Sequence, residues 1–238
     1  MSASPAVSPS KGEAVRTMFT RIARRYDLMN SLMTGGRHHA WRRRVALSAA
    51  GAPAGPVLDL ATGTADLALA VRARIPGRVV AGADFSEGML RVGQAKLRQR
   101  RVARVELLVA DALALPFRDG AFACVMSAFL LRNLEDLGRG LAEMRRVTAR
   151  GGRVITLDIV RPAQPLWGAV FGAYFNHVVP AIGAFVAGDR QAYTYLPQSV
   201  DRFVTPDELA ELMEDIGLRD VTYRRFGLGT IALHVGIA

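Results

Sequence analysis

A single cysteine, Cys124, cannot close an internal disulfide, which excludes a disulfide-built secreted scaffold and points to a reducing cytoplasm. Four histidines (His38, His39, His177 and His234) stand in no Cys-x-x-Cys or His-Glu-x-x-His arrangement, so no metal site is expected. Lysine is almost missing, with Lys11 and Lys96 set against 29 arginines. The first residues lack both a basic region and an apolar core, so they do not read as a signal peptide; residues 1–12 are expected to form a disordered tail. Only the run from Pro165 to Ala187 is apolar enough to suggest a membrane span. It carries Asn176, His177 and Pro180 at its middle, where burial in lipid is costly, and a span is the weaker reading.

What is present is a 238-residue chain, 50% hydrophobic, long enough to bury a core without staples, which excludes a disordered protein. Its 31 basic and 21 acidic side chains give a net charge of +10. Arginines gather in 37–44 and 98–104, either as solvated helix faces or as a basic face that meets phosphates of lipid or nucleic acid.

From Val57 onward, short β-branched runs alternate with stretches of helical period, the pattern of a mostly parallel sheet covered on both faces. Strands are expected at 57–61, 78–83, 105–110, 122–126 and 153–157. Helices are expected at 66–74, 87–100 and 137–148, with Ser86 capping the second. Thr205-Pro206-Asp207-Glu208 starts a further helix, and two strands at 220–225 and 230–236 follow around a glycine turn. Five parallel strands closed by a hairpin is the order of a class I methyltransferase: an α/β Rossmann-like sheet of seven strands, the last one antiparallel. The helical stretch 13–50 is expected to cap the ligand edge of this single 13–238 domain, and 163–200 to form a substrate lid.

The run Val57-Leu58-Asp59-Leu60-Ala61-Thr62-Gly63-Thr64-Ala65-Asp66 puts an acid in a buried strand, then small residues, then a helix start. Small residues let the backbone turn close to a ligand, and free amides at the helix start present positive charge. Only Gly63 of the Gly-x-Gly-x-x-Gly fingerprint is present, so a cofactor without phosphates, S-adenosylmethionine, fits better than a dinucleotide. Asp84, followed by Phe85, ends the second strand where it can accept ribose hydroxyls, and Asp111-Ala112 follows the third strand where an adenine can be bound. Each aspartate taken alone is more often a solvated acid or a cap; three at successive strand ends converge on one edge.

Tyr26-Asp27-Leu28-Met29-Asn30 with His38 and Trp41 resembles the N-terminal signature of the ubiquinone/menaquinone biosynthesis C-methyltransferases. Arg145-Arg146-Val147 through Asp158, Asp111 to Phe117, Leu131-Arg132-Asn133 and the run 193–199 are similar to the same family. The resemblance implies methyl transfer from S-adenosylmethionine to a ring carbon of a prenylated quinol, first of all demethylmenaquinol. It implies cofactor contacts at Thr64, Asp84, Asp111 and Ala112, and Asp59, Gly63 and Phe85 beside them complete the candidate cofactor residues. Ala65 replaces a usual glycine, Asp158 a glutamate and Val160 a serine, and Ala128 stands where a cofactor-contacting serine is usual. Neighbouring Ser127 is the candidate substitute, although adjacent strand residues face opposite sides.

Carbon methylation needs an electron-rich ring held in line with the methyl–sulfur bond, and a phenolate enriches the ring. Arg132 is the candidate for stabilising that phenolate and Asn133 for orienting it, while Tyr26 either closes over the cofactor or locks the N-terminal helices. Arginine stays protonated, so a water or a histidine would take the proton, with His38 and His177 the candidates by type. Expected partners are the quinol and an anionic membrane touched peripherally from the cytoplasmic side, with a homodimer left open and no stable nucleic-acid partner. An RNA-directed enzyme, a methyltransferase for another small molecule and an NAD-binding oxidoreductase are the rivals.

Overall fold

The computed structural model describes residues 10–162, 164–187 and 190–238, so residues 1–9 of the expected tail lie outside the described residues. One sheet holds seven strands: β1 (Val57–Leu60), β2 (Val80–Asp84), β3 (Val105–Val109), β4 (Phe122–Ala128), β5 (Thr148–Ile159), β6 (Arg219–Phe226) and β7 (Ile231–Ile237). Their order is β3-β2-β1-β4-β5-β7-β6. The first five run parallel, and β7 enters antiparallel between β5 and β6, with Ile155 opposite Val235. β1 is buried along its whole length, as a strand covered on both faces must be. β5 starts five residues earlier than the sequence pattern gives, because Gly151, at φ +74°, lets the strand bend without ending.

Helices α4 (Asp66–Arg74), α5 (Glu87–Gln99), α6 (Leu137–Val147) and, later in the chain, α10 (Pro206–Asp215) flank the sheet. The Ser86 hydroxyl accepts from the Met89 amide, and Thr205 forms a reciprocal capping box with Glu208, so both expected starts are built. Ahead of the sheet, 11–50 is three helices: α1 (Lys11–Ile22), α2 (Tyr26–Thr34) and α3 (Arg37–Ala50). Ser10 caps α1 through a box with Glu13, so helix begins inside the stretch expected to be a tail. Gly35 and Gly36, both left-handed, separate α2 from α3. Val45, Ala46 and Ala49 of α3 pack against Val57, Cys124 and Ile155 of the sheet.

Between β5 and α10 lie α7 (Pro165–Ala173), a π-helical turn (Tyr174–Val178), α8 (Val179–Ile182), a second π turn (Gly183–Ala187) and α9 (Arg190–Asp201). Val179, Ala192 and Tyr193 pack with Ile22, Ala23, Met29 and Met89, which joins this segment to the N-terminal helices above the strand ends. Among the described residues no helix is long and apolar enough to cross a membrane.

Candidate active site

The loop after β1 turns three times through left-handed backbone, at Ala61, Gly63 and Ala65, before α4 begins. Alanine at such angles is unfavourable, by about 1–2 kcal/mol relative to right-handed backbone, so surrounding contacts must hold the loop. Asp84 supplies one: its carboxylate accepts the Gly63 amide at 2.8 Å and the Ser86 amide at 2.8 Å. A carboxylate has about four acceptor sites, so this acid keeps capacity for further donors. Burial pushes its carboxyl up to about 6 against the pull of those amides. Ala61, Gly63, Asp84, Phe85, Asp111, Ala112 and Ala128 line one cavity of about 360 Å³, roofed by Phe19 and Tyr26 of the N-terminal helices.

Three residues expected at the cofactor are not among those lining this cavity. Asp59 is buried beneath the loop, where it accepts the Thr62 hydroxyl at 2.6 Å, and burial pushes its carboxyl up to about 7. Thr64 donates to Asp27 at 2.6 Å, and Lys96 reaches Thr64, Asp27 at 2.7 Å and Asp66 at 2.5 Å. This cluster ties α2 to the loop and holds Tyr26 over the cavity. Ser127 is buried within the sheet while Ala128 reaches the cavity wall, as strand alternation requires.

A second cavity, of about 210 Å³, shares Phe19, Tyr26, Phe129 and Asn133 with the first. Its wall is mostly apolar: Met18, Ile22, Met33, Trp41, Ile159, Phe175 and Leu196 all contribute. Arg132 and Asn133 lie on a 3-10 turn (Leu131–Asn133) just beyond β4. The Arg132 guanidinium pairs with buried Asp158 at 2.5 Å and donates to the Phe129 carbonyl at 3.0 Å. Asn133 Nδ2 also donates to Phe129 O, at 2.9 Å. Among the described residues Arg132 Nε and Asn133 Oδ1 have no protein partner.

The family model described as ubiE/COQ5 methyltransferase matches residues 7–238. The chain belongs to the ubiE/COQ5 methyltransferase family. It is 45% identical over 220 residues to the demethylmenaquinone methyltransferase of Thermus thermophilus, covering 92% of this chain and 99% of that one. It is 41% identical over 228 residues to the ubiquinone/menaquinone biosynthesis C-methyltransferase UbiE of Desulfotalea psychrophila, covering 96% and 92%. A solved S-adenosylmethionine-dependent methyltransferase from Aquifex aeolicus shares the fold at TM-score 0.64 and 17% identity, covering 89% of this chain and 98% of that one.

The protein is therefore a class I S-adenosylmethionine-dependent C-methyltransferase. The residues of the larger cavity fit that cofactor: an acceptor with spare lone pairs for ribose hydroxyls at Asp84, the Phe85 ring beside it, and Asp111 with Ala112 for an adenine. His38 is not the basic surface residue its surroundings in the sequence suggest. It is buried at the second cavity, Arg42 donates to its Nδ1, and its Nε2 lies 3.1 Å from the Ser31 hydroxyl. Both ring nitrogens are engaged, and burial next to Arg42 lowers its pKa to about 4, which suits a fixed neutral imidazole better than a base working near neutrality. Sequence reasoning missed Phe19, which divides the two cavities, and Phe129, whose carbonyl gathers Arg132 and Asn133. Helical periodicity gives no sign that the apolar face of α1 lines a cavity.

Proposed function

We propose that this methyltransferase acts on the ring carbon of a prenylated quinol, converting demethylmenaquinol to menaquinol. The observation that carries the reading is the second cavity, an apolar chamber that meets the cofactor cavity at Tyr26, Phe129 and Asn133 and has a buried guanidinium in its wall. When bound, the cofactor supplies an electrophilic methyl group on a sulfonium. Apolar walls hold the ring, so the main contribution of the protein is alignment of ring carbon with methyl. Arg132 keeps its Nε–H for the ring oxygen and stabilises the negative charge that makes the ring nucleophilic. Asn133 orients that oxygen. The ring carbon gains the methyl and loses its proton to water, leaving S-adenosylhomocysteine.

A lipid-tailed substrate implies contact with a membrane surface, and the exterior near this chamber suits it. Leu28, Leu32, Trp167, Val170 and Val178 are exposed, and Phe185 is 96% exposed. Arg24, Arg25, Arg37, Arg43 and Arg44 are exposed cations of the N-terminal segment, whereas Arg42, expected among them, is buried between His38 and Asp66. In this reading the described parts of the expected lid, 164–187 and 190–200, cover the chamber and meet acyl chains with their apolar face while the basic helices engage anionic headgroups.

Mass spectrometry of quinones extracted from a strain lacking the gene tests the reaction. Accumulation of demethylmenaquinone, reversed by the wild-type gene, is expected; an unchanged quinone pool sinks the assignment. Binding to anionic vesicles that weakens with salt, and again on changing Arg43 and Arg44 to glutamine, is expected of the surface.

A further inference from the structure

A 1,4-quinol brings two ring oxygens into an apolar chamber, and each costs free energy unless it finds a partner there. Arg132 and Asn133 share one short turn, which leaves an oxygen across the ring to be served from elsewhere. Among the other polar side chains that line the same chamber are Asn30 on α2 and Tyr195 on α9. Among the described residues, Asn30 Nδ2 and the Tyr195 hydroxyl are buried without a hydrogen-bond partner. The large majority of buried side-chain polar atoms are paired, so two orphans converging on one apolar chamber mark places where a ligand can complete the bonding.

We propose that Asn30 and Tyr195 are substrate-binding residues that hydrogen-bond the ring oxygens of the quinol and so fix which edge of the ring faces the cofactor. The assignment rests on the quinol reading above. Both groups have protons to give, which matches a ring oxygen whose lone pairs would otherwise be buried without a partner. Burial raises the pKa of the Tyr195 phenol, which keeps it a donor at neutral pH. The two residues come from different elements, the N-terminal helices and the segment after β5, so the ring can be gripped only when both are in place.

The test compares a short-tailed demethylmenaquinol with its two monohydroxy analogues, each lacking one ring hydroxyl, on wild type, Tyr195→Phe and Asn30→Leu. Affinity is measured with S-adenosylhomocysteine bound. Each variant is expected to bind the quinol about tenfold or more weakly, with S-adenosylhomocysteine affinity within about twofold of wild type and an unchanged melting temperature. For each variant one analogue, the one missing the contacted hydroxyl, should bind variant and wild type alike. Equal losses for the quinol and both analogues would show a packing role and overturn the assignment, as would quinol affinity equal to wild type in both variants. If wild type itself neither binds nor methylates the quinol while still binding S-adenosylhomocysteine, the quinol reading fails and this inference falls with it.

Discussion

The two cavities share a wall and differ in how their polar groups are satisfied. In the cofactor cavity the acids are engaged by the fold itself: Asp84 takes two backbone amides, and Asp111 takes the Leu113 amide at 2.8 Å. The substrate chamber keeps polar atoms unpaired at Asn30, Arg132, Asn133 and Tyr195. A sheet edge makes the first site, and its geometry follows from strands that must end there. Helices from distant parts of the chain make the second, with Tyr174 of the segment after β5 donating to the Met33 carbonyl at 2.8 Å. The proposed cofactor site is thus held by backbone, and the proposed substrate chamber by side-chain packing.

The sharpest break between the two regions is expected at Arg132. Arg132→Lys retains a cation for Asp158 but loses the planar fork, and turnover at saturating cofactor should fall by about a hundredfold while S-adenosylhomocysteine affinity is unchanged. Loss of cofactor affinity with retained turnover would place Arg132 in the wrong cavity. Asp84→Ala reverses the pattern: S-adenosylhomocysteine affinity drops by roughly tenfold to hundredfold, for charge-assisted hydrogen bonds of about 1.5–3 kcal/mol, and calorimetry on the folded variant reads it.

Acidity separates the regions further. The Asp84 carboxyl lies at about 6 in the free protein, and ribose hydroxyls donate to its ionised form, so cofactor affinity should fall by up to about tenfold per pH unit below that value. Asp84→Asn should flatten this profile. The free protein responds in the opposite sense, because a carboxyl raised on folding contributes stability that is present at low pH and lost as pH rises through about 6. The smallest effect is a control remote from both cavities. Thr205→Ala removes the α10 cap and should lower stability by about 1 kcal/mol in denaturant melts, with both ligand affinities unchanged.

By itself the sequence determined the sheet. All seven strands overlap the β-branched runs that mark them, with β5 beginning earlier than its run, and α4, α5, α6 and α10 follow the helical periods; the central parallel strands, buried on both faces, leave a continuous apolar signature. It also brought Gly63, Asp84, Phe85, Asp111 and Ala112 to the wall of one cavity, the proposed cofactor site, since topology forces successive strand ends onto one edge. Tertiary structure decided the rest. Whether Asp59 and Thr64 face a ligand or support the loop, and whether Ser127 or Ala128 faces the cavity, depends on local backbone rotation, and whether His38 and Arg42 are surface or core depends on which helix covers α3. The second cavity, the proposed substrate chamber, is assembled from residues as far apart as Met18 and Ile231, and no local pattern records a cavity whose walls meet only after the chain has packed.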